Sequence, residues 1–492
     1  MRELLAKLRR IVGTDQVLSE GDLSAWEQDW RKRARGRALA VVRPGSTEEV
    51  RDVVKACAAF CAAYPGGGVS IVVQGGNTGL VVGATPDASG RQIVLSLQRL
   101  NRIRGLDIEN LTLTVEAGCI LQSLQEHAQA AGLLLALSLA AEGTCTIGGN
   151  LATNAGGTQV LRYGNVRELC LGLEVVGADG EVWHGLSGLR KDNTGYDLRD
   201  LFIGSEGTLG IITAATIKLH PMPAARLTAW VAMDSLEHAV NLLALARSHL
   251  GPGLTGFEVM GQFALSLVFK HFAQLHSPLP LAAPWSVLLE CSDHESEAHA
   301  RAGLERLLEA ALERGHGSDA VVAESLQQAS QLWQIRESIP LAQPLEGLNI
   351  KHDISVPVSR IAEFVSFTDA LLQKEIPGVR LVNFGHLGDG NLHYNVQAPF
   401  GVDPAVFLHE HEERVNTLVF DSVHGFGGSI SAEHGVGSLK VDQLERYKSP
   451  VALSMMRAIK RALDPQNLLN PGRVIRVGSG SGGAGEGNRT LV

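Results

Sequence analysis

Residues 74–86 read Q-G-G-N-T-G-L-V-V-G-A-T-P, directly behind the apolar run Ile71-Val72-Val73. The run has the make-up of a buried strand. The residues after it cannot extend that strand, because Gly75, Gly76, Gly79 and Gly83 favour turns and Pro86 breaks regular structure. Such a turn lets several backbone N–H groups converge on one anion with no Cβ atoms in the way, as phosphate and pyrophosphate sites require. A glycine-rich stretch can also be a plain turn, and spacing alone leaves both readings open. The stretch lacks the G-x-x-x-x-G-K-[ST] spacing of a P-loop, and no G-x-G-x-x-G opens a helix here.

The chain around it has 492 residues, more than one hydrophobic core accommodates, so two or more domains are expected. With 45% hydrophobic and 19% charged residues it has an ordinary globular composition, and its net charge of −9 argues against nucleic acid as a partner. No apolar run reaches the 18 residues of a membrane span. Met1 to Gly13 reads as a surface helix and lacks the apolar centre of a signal peptide. Six cysteines without a C-x-x-C pair point to a reducing, cytoplasmic setting.

Ala38 to Arg43 reads as a strand, and Ser46-Thr47-Glu48-Glu49 as the start of a helix running to about Tyr64. Further strands are expected at 93–97, 111–115 and 211–219, a helix at 120–131, and a hairpin around Ala178-Asp179-Gly180. Glu142 to Gly157 consists almost wholly of small residues, which allows a large planar ligand to approach the backbone. Beyond Arg226, strands and helices alternate, and charged helices return near 404–424 and 450–463. The Gly/Ser-rich tail from Gly478 reads as disordered.

His386 and His393 stand seven apart in G-H-L-G-D-G-N-L-H-Y-N, with Gly388, Asp389 and Gly390 as a turn between them. A turn there can aim both imidazoles at one point, and Glu433 in S-A-E-H-G-V-G adds a hard oxygen. Two nitrogens and a carboxylate make an open divalent metal site. Two surface histidines would share that spacing, but the glycines and the S-A-E-H motif tip the balance toward a metal.

These motifs occur together and in order with N-T-G-Y-D (193–197), G-S-E-G-T-L-G (204–210) and D-P-Q-N-L-L-N-P-G-R (464–473). Over about residues 38–476 the chain thereby resembles the FAD-linked oxidases of the vanillyl-alcohol oxidase type, and within them the D-2-hydroxyacid dehydrogenases. The resemblance implies an α+β protein: a two-subdomain FAD-binding domain, an α+β cap domain carrying the substrate site, and a C-terminal helical segment. The expected divisions are an N-terminal helical segment 1–37, the FAD domain 38–222, the cap 223–425, a segment 426–477 returning to the flavin, and the tail 478–492.

By the same resemblance, Gly75, Gly76, Asn77, Thr78 and Gly79 hold the FAD pyrophosphate, and Pro44 also meets the cofactor. Gly148, Gly149, Asn154, Gly157, Gly207, Ile212 and Asn470 lie along the flavin. His386, His393 and Glu433 hold the metal, zinc first with manganese or iron as alternatives, and His434 is the general base. Arg336, Lys351, Asn395 and His434 meet the substrate. Thr78 stands where covalent relatives carry a histidine, so the FAD is expected to be non-covalent. The implied reaction oxidises a D-2-hydroxyacid to its 2-oxoacid. Two cationic positions favour a dicarboxylate such as D-2-hydroxyglutarate or D-malate, although Pro340 replaces a hydroxyl residue of the family. D-lactate or glycolate oxidation is the close alternative, and a non-redox flavin transferase or a flavin-binding subunit the distant one. An electron acceptor (an electron-transfer flavoprotein, a quinone or a cytochrome) is implied, and a homodimer is the assembly considered.

Overall fold

Strands Ala38–Val42, Gln92–Ser96 and Ser70–Gln74 lie parallel in that order, each with a buried apolar centre. The computed structural model that shows this describes residues 1–280 and 283–477, so the tail expected at 478–492 lies outside the described residues. Helix Thr47–Ala63 covers one face of the sheet through Val50, Val53, Val54 and Cys57. It begins where Ser46 accepts the Glu49 N–H, the capping arrangement its sequence predicts. The parallel strands send Pro44 and the loop from Gly75 off the same sheet edge, where open α/β sheets take their ligands. The first 37 residues differ from a purely helical segment. Besides helices Arg2–Val12 and Ser24–Glu27 they give an edge strand, Val17–Leu18, antiparallel to Val41–Val42. Two residues carry no periodicity by which such a strand could be read.

A second sheet runs in the order Ile103–Asp107, Thr112–Glu116, Ile211–Lys218, Cys170–Val176, Val182–Gly185. Helix Ile147–Ala152 forms within the small-residue stretch, despite two glycines that disfavour helix. Packing explains it: a Cβ on Gly148 would fall 2.6 Å from the Cβ of Ala117.

The third sheet has eight strands. Its centre is built from Ala225–Met233, Trp285–Asp293, Leu254–Gly261, Arg380–His386 and Asn391–Gln397. Helix Leu326–Leu345 packs on it although Pro340 and Pro344 lie inside. Proline normally ends a helix. Here Leu332, Ile335, Ile339 and Ala342 bury against Trp230, Leu288 and Phe384, which offsets that cost. No described helix is long and apolar enough to cross a membrane, and all six cysteines are free thiols.

Helices Pro404–Gly425 and Pro450–Leu463 lead to a last segment that runs back to the first sheet, where Asn470 N–H donates to Ile71 C=O at 2.8 Å. Lys460, 2% exposed, fastens it. Its ammonium donates to Thr208 C=O (2.7 Å), Leu469 C=O (2.8 Å) and the Asp464 carboxylate, which in turn accepts the N–H groups of Leu468 and Leu469. Removing one partner of a buried pair leaves the other uncompensated. Lys460→Met is therefore expected to lower unfolding free energy by about 3–5 kcal/mol, read from the urea midpoint at constant slope.

Candidate active site

The two small-residue stretches pack backbone to backbone. A Cβ on Gly76 would fall 2.2 Å from Thr144 C=O, and one on Gly75 2.3 Å from Thr146 Oγ1, so neither position takes a larger residue. Gly79 faces open space. Around this junction Ser96 Oγ, Thr146 Oγ1, Asn150 Oδ1 and Asn470 Oδ1 are buried without a hydrogen-bond partner. Buried polar atoms are rarely left unpaired. A flavin nucleotide, with its phosphates and polar ring edge, suits such a lining. Asn470 Nδ2 meets Glu206 C=O (2.6 Å) and Gly83 C=O (3.2 Å), and Gly207 lies against Val73 and Asn470. Asn77 turns its amide away from the loop, donating to Gln28 C=O at 2.9 Å. Asn154 Oδ1 accepts the Arg167 N–H. Ile212 buries its side chain in the core of the second sheet, so only its backbone can meet a cofactor.

His386 ends one strand and His393 sits on the next, joined by a tight turn in which Gly390 adopts φ 86°. Their rings come within 5.8 Å, centre to centre. Glu433 Oε2 lies 3.7 Å from His386 Nε2 and 3.9 Å from His393 Nε2. The three donor atoms all lie within 4.8 Å of one another. Zinc bonds of about 2.0–2.2 Å call for tetrahedral donors roughly 3.4 Å apart, so this set needs only a small contraction to hold such an ion. The other Glu433 oxygen accepts the N–H of Gly157 at 3.0 Å, which ties this candidate metal set to the small-residue stretch.

Behind the imidazoles stand two acids that sequence reasoning missed. Glu258 accepts from His386 Nδ1 (2.6 Å) and from Arg336 Nε (2.7 Å). Burial would raise its pKa, but His386 and Arg336 hold it down at about 2. Burial likewise opposes charge on His386, yet Glu258 and Glu433 carry it up to about 9, whereas burial holds His393 well below the usual imidazole range. Asp353, 2% exposed, accepts the backbone N–H groups of Glu433 (2.9 Å) and His434 (2.8 Å) and lies 3.5 Å from His434 Nδ1. Burial works against its charge, but His434, Lys440 and His393 keep it ionised. A backing carboxylate orients an imidazole ligand and fixes its tautomer. For Glu258 the available signal was a lone acid inside the apolar strand F-E-V-M, whereas Asp353 in K-H-D-I-S has polar neighbours and carried no such signal.

Arg336 reaches this centre with one edge already engaged by Glu258 and its guanidinium 4.9 Å from the Phe384 ring centre. Phe384 in turn stacks near His393. Asn395 is less free than expected. Its Oδ1 accepts the His352 N–H (3.0 Å) and its Nδ2 donates to Gln343 (2.9 Å), so both ends of the amide are used within the protein. Lys351 precedes Asp353 by two residues and points with it to one face of the strand pair.

The C-terminal domain of FAD linked oxidases matches residues 222–474, and an FAD binding domain matches residues 38–185. A D-2-hydroxyglutarate dehydrogenase of Xanthomonas citri pv. viticola is 40% identical over 92% of this chain and 92% of its own. The mitochondrial D-2-hydroxyglutarate dehydrogenase of Bos taurus is 37% identical over 96% of this chain and 83% of its own. Among solved structures, p-cresol methylhydroxylase superposes with TM-score 0.75 at 19% identity, covering 96% of both chains. An alkyldihydroxyacetonephosphate synthase superposes with TM-score 0.70 at 17% identity, covering 96% of this chain and 84% of that one. At such identities the likeness concerns the fold, which is the α+β fold of the vanillyl-alcohol oxidase type.

The metal set lies outside the two stretches that suit the flavin. Chelation, or His386→Ala, is expected to abolish turnover while the bound flavin spectrum persists, and added divalent ion should restore only the chelated wild type. Full turnover in metal-free protein would show that these three residues serve another purpose.

Proposed function

Because this chain belongs to the FAD-linked oxidases, and aligns with D-2-hydroxyglutarate dehydrogenases over most of their length, we propose that it oxidises D-2-hydroxyglutarate to the 2-oxoacid as an FAD-dependent dehydrogenase. The observation that carries this reading is the convergence of His386, His393 and Glu433 beside His434, with Glu258 behind His386 and Asp353 holding the backbone of Glu433 and His434. When bound, the flavin supplies the hydride acceptor and a divalent metal the Lewis acid that lowers the pKa of the substrate hydroxyl.

The remaining work falls to side chains. His434 takes the hydroxyl proton, and Asp353 at its Nδ1 side holds the ring and stabilises the imidazolium that results. Arg336, steadied by Glu258 and Phe384, presents its free guanidinium edge to the carboxylate next to the oxidised carbon. Lys351 supplies positive charge for the second carboxylate. Pro340, one helical turn beyond Arg336, offers no hydrogen bond on that side, which keeps D-malate and D-lactate as the substrates to compare.

Anaerobic bleaching of the flavin by a panel of D- and L-2-hydroxyacids tests the reading. D-2-hydroxyglutarate is expected to give the highest kcat/KM, ahead of D-malate and well ahead of D-lactate, with the L-acids inert. A preference for D-lactate would replace the dicarboxylate reading with the lactate one. In the same assay His434→Asn should lower kcat roughly 10²–10⁴-fold, the usual worth of a general base, with little change in KM. A change in KM alone would make it a binding residue.

A further inference from the structure

Arg31 and Lys351 are two half-buried cations without an ion-pair partner. Neither side chain makes an ion pair or hydrogen bond with a described residue, in a chain whose net charge is −9. One helix fixes the surroundings of both. Arg33 Nη2 meets both carboxylate oxygens of Glu412 (2.9 and 3.0 Å), and the His352 ring meets Asn416 Oδ1 at 2.9 Å. Glu412 and Asn416, four apart, share one face of the helix Pro404–Gly425. The turn carrying Arg31 is shaped by Asp29, whose carboxylate accepts the N–H groups of Arg31 (3.0 Å) and Ala34 (2.6 Å). Its start is tied to the glycine loop by Asn77. The N-terminal turn and the strand of Lys351 thus meet at one place, and the meeting is felt electrostatically. Burial first, and the Arg31 charge second, bring the Lys351 pKa down to about 8. Burial and then Arg33 lower the Arg31 pKa too, against the smaller opposing pull of Glu412 and Asp29.

Register sets the distance from the reacting centre. The pairs Ile350 with Val396 and Asp353 with His393 place Lys351 opposite Asn395. Strand alternation then puts Lys351 on the face of Asp353, about 6.6 Å further along the strand. That offset suits the far end of a five-carbon diacid whose hydroxyl end lies at His434. Two like charges held together out of water are costly unless an anion joins them.

Resting on the dicarboxylate reading above, we propose that Arg31 acts with Lys351 to bind the substrate carboxylate remote from the oxidised carbon. The N-terminal turn then decides between dicarboxylic and monocarboxylic 2-hydroxyacids.

The test compares wild-type holoenzyme with Arg31→Met and Arg31→Lys. It reads the ratio of kcat/KM for D-2-hydroxyglutarate to that for D-lactate, and flavin bound per chain. In Arg31→Met the ratio is expected to fall roughly 10- to 100-fold, mainly through KM, which is the scale of one charge-assisted hydrogen bond. Arg31→Lys should recover part of it, and flavin content should match wild type. Should Arg31→Met yield no folded protein, Arg31→Gln is read by the same ratio. Loss of flavin with the ratio kept would assign the cations to the cofactor phosphates and overturn the proposal, as would an equal fall for both substrates. A wild-type preference for D-2-hydroxyglutarate whose ratio is unchanged in Arg31→Met overturns the proposal alone. A wild-type preference for D-lactate overturns the substrate reading and the proposal with it.

Discussion

Everything at the candidate centre hangs on one buried carboxylate. Asp353 sits in a short strand paired with the strand of His393, and it accepts hydrogen bonds from Glu433 N–H, His434 N–H and Asn391 Nδ2. Residues 431–437 have no regular secondary structure, so no sheet or helix positions Glu433 and His434. Asp353 fixes their backbone instead, and it is a strong acceptor because it is charged and desolvated. Glu206 plays the same part on the other side. Its buried carboxylate accepts the N–H groups of Val436 and Gly437, both at 2.7 Å, and grips the loop from the flavin side. The loop is held between two acids that belong to different parts of the chain.

Much of this could be read in the sequence because it depends on what glycine permits. Gly76 stands where two backbones touch and Gly75 where a threonine side chain presses on the loop, and a stretch with that requirement announces itself in composition. The strand before them, the capped helix from Ser46 and the turn between His386 and His393 follow from equally local rules. Glu258 and Asp353 were not legible, since each acid acquires meaning only from partners 128 and 81 residues away. Helix Ile147–Ala152 and the two prolines inside Leu326–Leu345 run against local propensity, and packing decides them. Asn395 illustrates the reverse difficulty. Its residue type suits a substrate contact, but its amide is spent on holding His352 and Gln343 together.

Arg336 and Glu258 show how the site tolerates so much buried charge. The pair is almost fully buried, and each ion alone would be expensive there. Joined to His386 they form a chain in which every charge has an opposite neighbour at 2.6–2.7 Å. Rigidity is the return, since Arg336 and His386 cannot be moved independently.

The contact between Gly157 and Glu433 spans 276 residues of chain. The glycine-rich stretches can dock on one another while the ribosome is still reading the first half of the message. The cluster of His386, His393 and Glu433 has to wait for Glu433, which at about 5–20 residues per second emerges roughly 14–55 s after Gly157. Throughout that interval Gly157 and the surface around it lack their final neighbour. The order of synthesis thus brings Glu433 and then Asn470, the last contacts of the two neighbouring sites, onto glycine-rich stretches that have already docked.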